Sequence, residues 1–167
     1  MKVAVKDSCL LIDLEIMRVL DLWFQLKIET LTTTIIVDEI RDQHPDIVAY
    51  IESGAMVVID YDVPDLIPLI TELGTDDLSL GDLSVLHLAE EKDAVLLTCD
   101  SALRGEAKAR RIDCHGSIWV LEKLVDSNLL PGPVAASKLQ ALVSGANGTG
   151  RFLSPKLIAP YLAKWKR

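Results

Sequence analysis

The strongest constraint on this chain is an alternation of two kinds of segment across its first two thirds. Short aliphatic and β-branched runs are separated by longer stretches of helix formers. Val3–Lys6 reads as a strand ending at Asp7-Ser8, and Leu10–Leu26 as a helix. Ile28–Thr33 reads as a second strand, Thr34–Arg41 as a short helix, and Pro45–Ser53 as another that opens on an early proline. Then come the strand Ala55–Asp60, the helices Pro64–Leu73 and Ser79–Lys92, the strand Ala94–Cys99 and the helix Ser101–Arg111. Parallel strands need long crossovers, usually helices, so the alternation predicts an α/β fold around a mainly parallel sheet. The last third reads as helices only, over Ser117–Asp126, Val134–Val143 and Pro155–Lys164. Ser144–Gly150 between the last two is a connector by its Gly, Ser and Asn content.

The 167 residues suit one domain over 1–167, with a core over about 1–126 and a helical extension over about 127–167. Half the residues are hydrophobic and 5% aromatic, enough for an aliphatic core without disulfides or a structural metal. Cys9, Cys99 and Cys114 are an odd number at unrelated spacings, which implies buried reduced thiols. No apolar run approaches the roughly 20 residues of a membrane helix. The opening residues carry Lys2, Lys6 and Asp7 and have no apolar stretch of the leader kind. The expectation is a cytoplasmic protein with no membrane partner. A net charge of −8 and a pI near 4.8 argue against broad phosphate tracking.

In parallel sheets ligands gather beyond the C-terminal strand ends, near a switch in strand order. That rule directs attention to Asp7, after the first strand, and Asp100, after Ala94–Cys99. Each acid has an ordinary explanation when taken alone. Asp7 and Asp100 precede helices and suit N-caps, and Ser79-Leu80-Gly81-Asp82 resembles a capping box. Glu39 carries more information. Its helical neighbours are Ile35, Ile36 and Ile40, so it should lie beside the buried stripe, whereas Asp38 shares a polar face with Thr34, Arg41 and Asp42.

Taken together, the segments Val-Ala-Val-Lys-Asp7-Ser8-Cys-Leu-Leu-Ile and Thr-Thr-Thr-Ile-Ile-Val-Asp-Glu39-Ile resemble the opening of a PIN domain. Leu-Ser79-Leu-Gly-Asp82-Leu-Ser-Val-Leu-His-Leu-Ala-Glu and Val-Leu-Leu-Thr98-Cys-Asp100-Ser-Ala-Leu-Arg continue the likeness, which spans Val3 to Leu124. The stretch from Gly116-Ser117-Ile118 to Arg151-Phe152-Leu153-Ser154-Pro155 resembles, more loosely, the tail of a prokaryotic PIN subgroup. The resemblance implies a three-layer α/β/α fold with extra C-terminal helices. It also implies that Asp7, Glu39, Asp82 and Asp100 converge on Mg²⁺ or Mn²⁺, with Asp7 and Asp100 as the most direct ligands.

The implied activity is endoribonuclease cleavage of RNA, in the manner of VapC-like toxins whose partner is a small antitoxin protein. Homodimers are frequent in the family. The residue chemistry agrees: packed carboxylates repel one another unless a cation is present, and an all-oxygen donor set suits a hard ion. Ser8 and Thr98 would then hydrogen-bond the ligating carboxylates. A second reading keeps the PIN-like fold as a catalytically silent module that binds RNA or protein. A phosphatase lacks its DxD on the first strand, and a response-regulator receiver lacks its ordered acids and lysine.

Arg104, Lys108, Arg110 and Arg111 form a basic cluster after Asp100. Arg104 and Lys108 are candidate contacts to substrate phosphates, while a solvated helix face accounts for the cluster equally well. Lys164, Lys166 and Arg167 read as a solubilising tail, and Trp119 and Trp165 as packing residues. His44, His87 and His115 have no metal-ligand spacing, and the glycines at 145–150 lack P-loop order.

Overall fold

The computed structural model describes residues 4–145 and 153–166. Val3 at the start of the first strand, 146–150 of the connector, Arg151-Phe152 and Arg167 lie outside the described residues. Five strands, β1 (Ala4–Lys6), β2 (Thr30–Thr33), β3 (Val57–Ile59), β4 (Val95–Leu97) and β5 (Cys114–His115), form one sheet in the order β3-β2-β1-β4-β5. Every pairing is parallel, so the sheet is wholly rather than mainly parallel. Ten helices flank it among the described residues, in a three-layer α/β/α arrangement with C-terminal helices.

The helices between β1 and β4 are α1 (Ser8–Ile16), α2 (Leu20–Gln25), α3 (Thr34–Ile40), α4 (Pro45–Glu52), α5 (Val63–Leu73) and α6 (Leu80–Glu91). After β4 come α7 (Ser101–Ala109), α8 (Ser117–Asp126), α9 (Gly132–Ser144) and α10 (Pro155–Trp165). Central strands packed on both faces must be apolar, and Val5, Leu96 and Leu97 are fully buried. On the same grounds α6, which packs on β1, β2 and β4, is buried nearly all round, from Leu83 to Ala89 apart from the half-buried His87. The C-terminal helices join this body through α8, on which α9 packs, with α10 on α9.

The single helix expected over Leu10–Leu26 is two. Arg18 turns to φ 53° and Val19 N donates to Leu14 O, which ends α1 before α2 begins. The break re-aims the chain so that Trp23 is buried and its Nε1 donates to Thr30 Oγ1 at 2.9 Å. Propensity alone carries no mark of this, because every residue there is an acceptable helix former. The two-residue β5 gave no run long enough to read. The three cysteines are in no disulfide among the described residues and are only half-buried, so the expectation of buried thiols is corrected.

Lys6 is an unusual member of the core. It is fully buried, and its Nζ has no hydrogen-bond partner and sits 3.7 Å from the centre of the Trp23 ring. Burial pushes its pKa well below the ordinary lysine value, against the charges of Asp7 and Cys99, which raise it.

Candidate functional site

The order β3-β2-β1-β4-β5 reverses direction between β1 and β4, and the chain leaves the C-terminal ends of these two strands at Asp7 and at Thr98-Cys99-Asp100. Lys6 pairs with Leu97 and Asp7 N donates to Leu97 O at 3.2 Å, so the two exits are held side by side. Asp7 is 1% exposed. Its Oδ1 accepts from Leu10 N at 2.8 Å, capping α1, and its Oδ2 accepts from the Thr98 hydroxyl. Thr98 Oγ1 in turn accepts from Asp100 N at 3.0 Å, and Asp100 Oδ1 caps α7 through Leu103 N at 2.8 Å. Capping and membership of one constellation are therefore compatible, because a helix N-terminus both needs an acceptor and favours negative charge.

Glu39 and Asp82 approach on α3 and α6. Thr33 caps α3 and bonds Ser84 Oγ at 2.8 Å, while Ser84 donates to Gly81 O at 2.7 Å. This chain of bonds fixes the start of α6 against α3. A Cβ added at Gly81 would lie 2.9 Å from Glu39 Cδ and closer still to its Oε1, so only glycine admits the carboxylate at that point. Glu39 is more exposed than its place beside the isoleucines predicts, with its carboxylate against Gly81. Asp38 is exposed, 3.8 Å from Arg41. Asp82 completes the capping box, with Ser79 N donating to its Oδ2 at 2.9 Å and Asp82 N donating to Ser79 Oγ at 3.1 Å.

Electrostatics couple these acids. Burial raises the Asp7 pKa from 3.8 to about 6; the Thr98 and Leu10 hydrogen bonds oppose this, and the charges of Asp82 and Asp100 add to it. Partial burial raises the Glu39 pKa, opposed by a hydrogen bond with Ser8 and reinforced by Asp82. Ser8, next to Asp7 in the chain, thus holds Glu39, and Thr98 holds Asp7. Mutual repulsion of this kind is relieved by a cation.

Among the described residues, no three His, Cys, Asp or Glu side chains stand close enough to form a ready-made metal cage. The donor set nonetheless fits Mg²⁺ or Mn²⁺, which keep several waters and take only a few direct carboxylate ligands. An all-carboxylate set does not suit a soft ion, and the thiol beside Asp100, Cys99, is turned to Asp13 at 3.0 Å.

Arg104 lies one turn along α7 from Asp100 and its guanidinium donates to Thr98 O at 2.8 Å. Lys108 is exposed a turn further on. Arg110 is not available to a substrate, because it pairs with Glu72, Glu90 and Glu106. Sequence reasoning missed Gly81, Thr33 and Ser84, whose roles depend on a contact between α3 and α6. The one local sign was a glycine in the first turn of a strong helix, where helix propensity alone would not place it. It also missed Lys6, whose burial no local pattern announces.

No helix among the described residues is long and apolar enough to cross a membrane. A family model described as a PIN domain matches residues 3–167. No curated protein matches the chain.

Proposed function

Starting from a chain that belongs to the PIN-domain family, a nuclease-type fold, we propose that this protein is a metal-dependent endoribonuclease whose site is Asp7, Glu39, Asp82 and Asp100. The observation that carries the reading is that Asp7 and Asp100, joined through the Thr98 hydroxyl, stand where strand order reverses, with the charge of Asp82 felt at Asp7. Two carboxylates adding to the effect of burial on the proton affinity of a third is a costly arrangement for a structural role alone, since any one of them caps its helix without the others.

Asp7 and Asp100 would hold Mg²⁺ or Mn²⁺, and Glu39 and Asp82 would complete the site. When bound, the ion lowers the pKa of a coordinated water and stabilises charge on the phosphate oxygens. Thr98 orients Asp7 by donating to Oδ2, and Ser8 orients Glu39. The buried position of Asp7 excludes water from one side of the site, and its rigid capping bonds keep its oxygens from reorganising. Arg104, with one nitrogen committed to Thr98 O, would meet a substrate phosphate through the rest of its guanidinium.

Cleavage of a mixed single-stranded RNA in Mn²⁺, in Mg²⁺ and in EDTA tests the reading. The expected result is cutting in the metal lanes only, lost in Asp100→Asn. An uncut substrate in all three, with RNA still retained on a filter, would instead make this a silent binding module.

A further inference from the structure

The site has a neighbour that the reading above leaves unused. Cys99 and Ser101, on either side of Asp100, line a cavity of about 480 Å³ that extends to α10. That volume lies within the roughly 300–1,000 Å³ of small-molecule sites. One wall is aromatic: the His115 and Trp119 rings stack with centroids 4.5 Å apart and an interplanar angle of 6°. α10 contributes Leu157 and Tyr161.

The cavity also contains buried polar groups. Asp13 is 1% exposed, and its Oδ2 accepts from Ser117 Oγ at 2.7 Å and from Cys99 Sγ at 3.0 Å. The single Lys or Arg among the described lining residues is Arg104. Its guanidinium is anchored on Thr98 O, the residue whose hydroxyl holds Asp7, so the cationic end of the cavity is the end beside the acids.

We propose that this cavity receives the nucleobase next to the scissile phosphate, with Arg104 meeting that nucleotide's own phosphate. The assignment rests on the ribonuclease reading and gives it a substrate class: RNA with at least one unstacked, unpaired base beside the cut. A flat ring enters an aromatic and aliphatic slot with favourable stacking and burial, and the few buried polar groups meet its edge. A phosphate at that depth would be opposed by Asp13, whereas at Arg104 it meets a guanidinium. A base inside a duplex cannot reach the slot, so paired RNA is excluded. The arrangement also gives the C-terminal helices a function, because α10 forms part of the site.

The test measures binding of the four nucleoside 5′-monophosphates by NMR in EDTA, to the wild type and to Leu157→Trp, Tyr161→Ala and Asp7→Asn, alongside single-stranded RNA cleavage in Mn²⁺. Leu157 is 48% exposed, so the larger ring at that position is tolerated by the fold while filling the cavity mouth. Tyr161→Ala serves as the second variant, and a melting curve checks that each is folded. The expected result is nucleotide binding weakened about tenfold or more in both cavity variants and undiminished in Asp7→Asn. In cleavage, KM should rise about as much with kcat little changed.

No binding by the wild type at about 10 mM nucleotide overturns the proposal, as does equal binding by both cavity variants. RNA cutting untouched by either variant overturns the cavity assignment alone. Nucleotide binding lost in the cavity variants, from a protein that cuts no RNA, overturns the ribonuclease reading and upholds the cavity as a nucleotide site.

Discussion

Replacing Asp7 with Asn should stabilise the metal-free protein. Folding raises the Asp7 pKa from 3.8 to about 6. The folded state therefore binds this proton more tightly than the unfolded state does. Its contribution is fully present below about pH 4 and is lost as pH rises through about 6. The whole shift is worth about 3 kcal/mol in the ionised form. Asn resembles the protonated acid: its side-chain oxygen still accepts from Leu10 N, while the repulsion from Asp82 and Asp100 is gone. At pH 7.5 in EDTA, Asp7→Asn should melt about 6–12 °C above the wild type, given about 2–4 °C per kcal/mol for a chain of this size. At pH 4.5 the gap should largely close. Melting curves followed by circular dichroism at both pH values decide the matter. A variant that melts lower at pH 7.5, or a gap that is the same at both pH values, would refute the argument that Asp7 is electrostatically strained.

Further outcomes follow from other contacts. Gly81→Ala should leave the fold intact, since the gain in helix propensity of up to about 1 kcal/mol offsets the local crowding, but it must displace the Glu39 carboxylate. RNA cleavage should then fall at least tenfold at unchanged melting temperature, and full activity would dissociate Glu39 from the site. Lys6→Met should stabilise the protein at neutral pH by about 1–3 kcal/mol, because it removes a buried amine with no hydrogen-bond partner. A lysine whose pKa folding lowers costs stability as pH falls, so this advantage should shrink toward pH 10, measurable by denaturant titration. Arg110→Ala should lower stability by about 1–2 kcal/mol, since the three carboxylates around it are only partly screened from one another.

The alternation of segments made the parallel sheet legible, because both periodicities are local properties of the chain. Helix starts were equally legible where chemistry marks them, as at Asp7, Ser79 and Asp100, whose side chains do accept the expected backbone bonds. What stayed hidden was set by tertiary contact. The break at Arg18 exists because Trp23 must reach β2, and no residue between Leu10 and Leu26 signals it. The two-residue β5 is defined by pairing with Leu96 and Leu97 rather than by its own composition. The candidate site divides along the same line. The four acids could be ordered along the sequence, but Gly81 under Glu39 and the Thr33–Ser84 link emerge only when α3 meets α6. The cavity beside Asp100 depends on residues from four elements and on α10, which sequence reasoning treated as an appendage.

The proposed function requires four carboxylates, contributed from the ends of two strands and from two helices, to act as one metal site. Titration of Mn²⁺ into the wild type and into Asp7→Asn, Glu39→Gln, Asp82→Asn and Asp100→Asn, followed by electron paramagnetic resonance of the free ion, addresses it directly. The expected result is binding by the wild type that every one of the four substitutions weakens, with Asp7→Asn and Asp100→Asn the most affected. Wild-type protein that binds no Mn²⁺, or binding that all four substitutions leave unchanged, would contradict it.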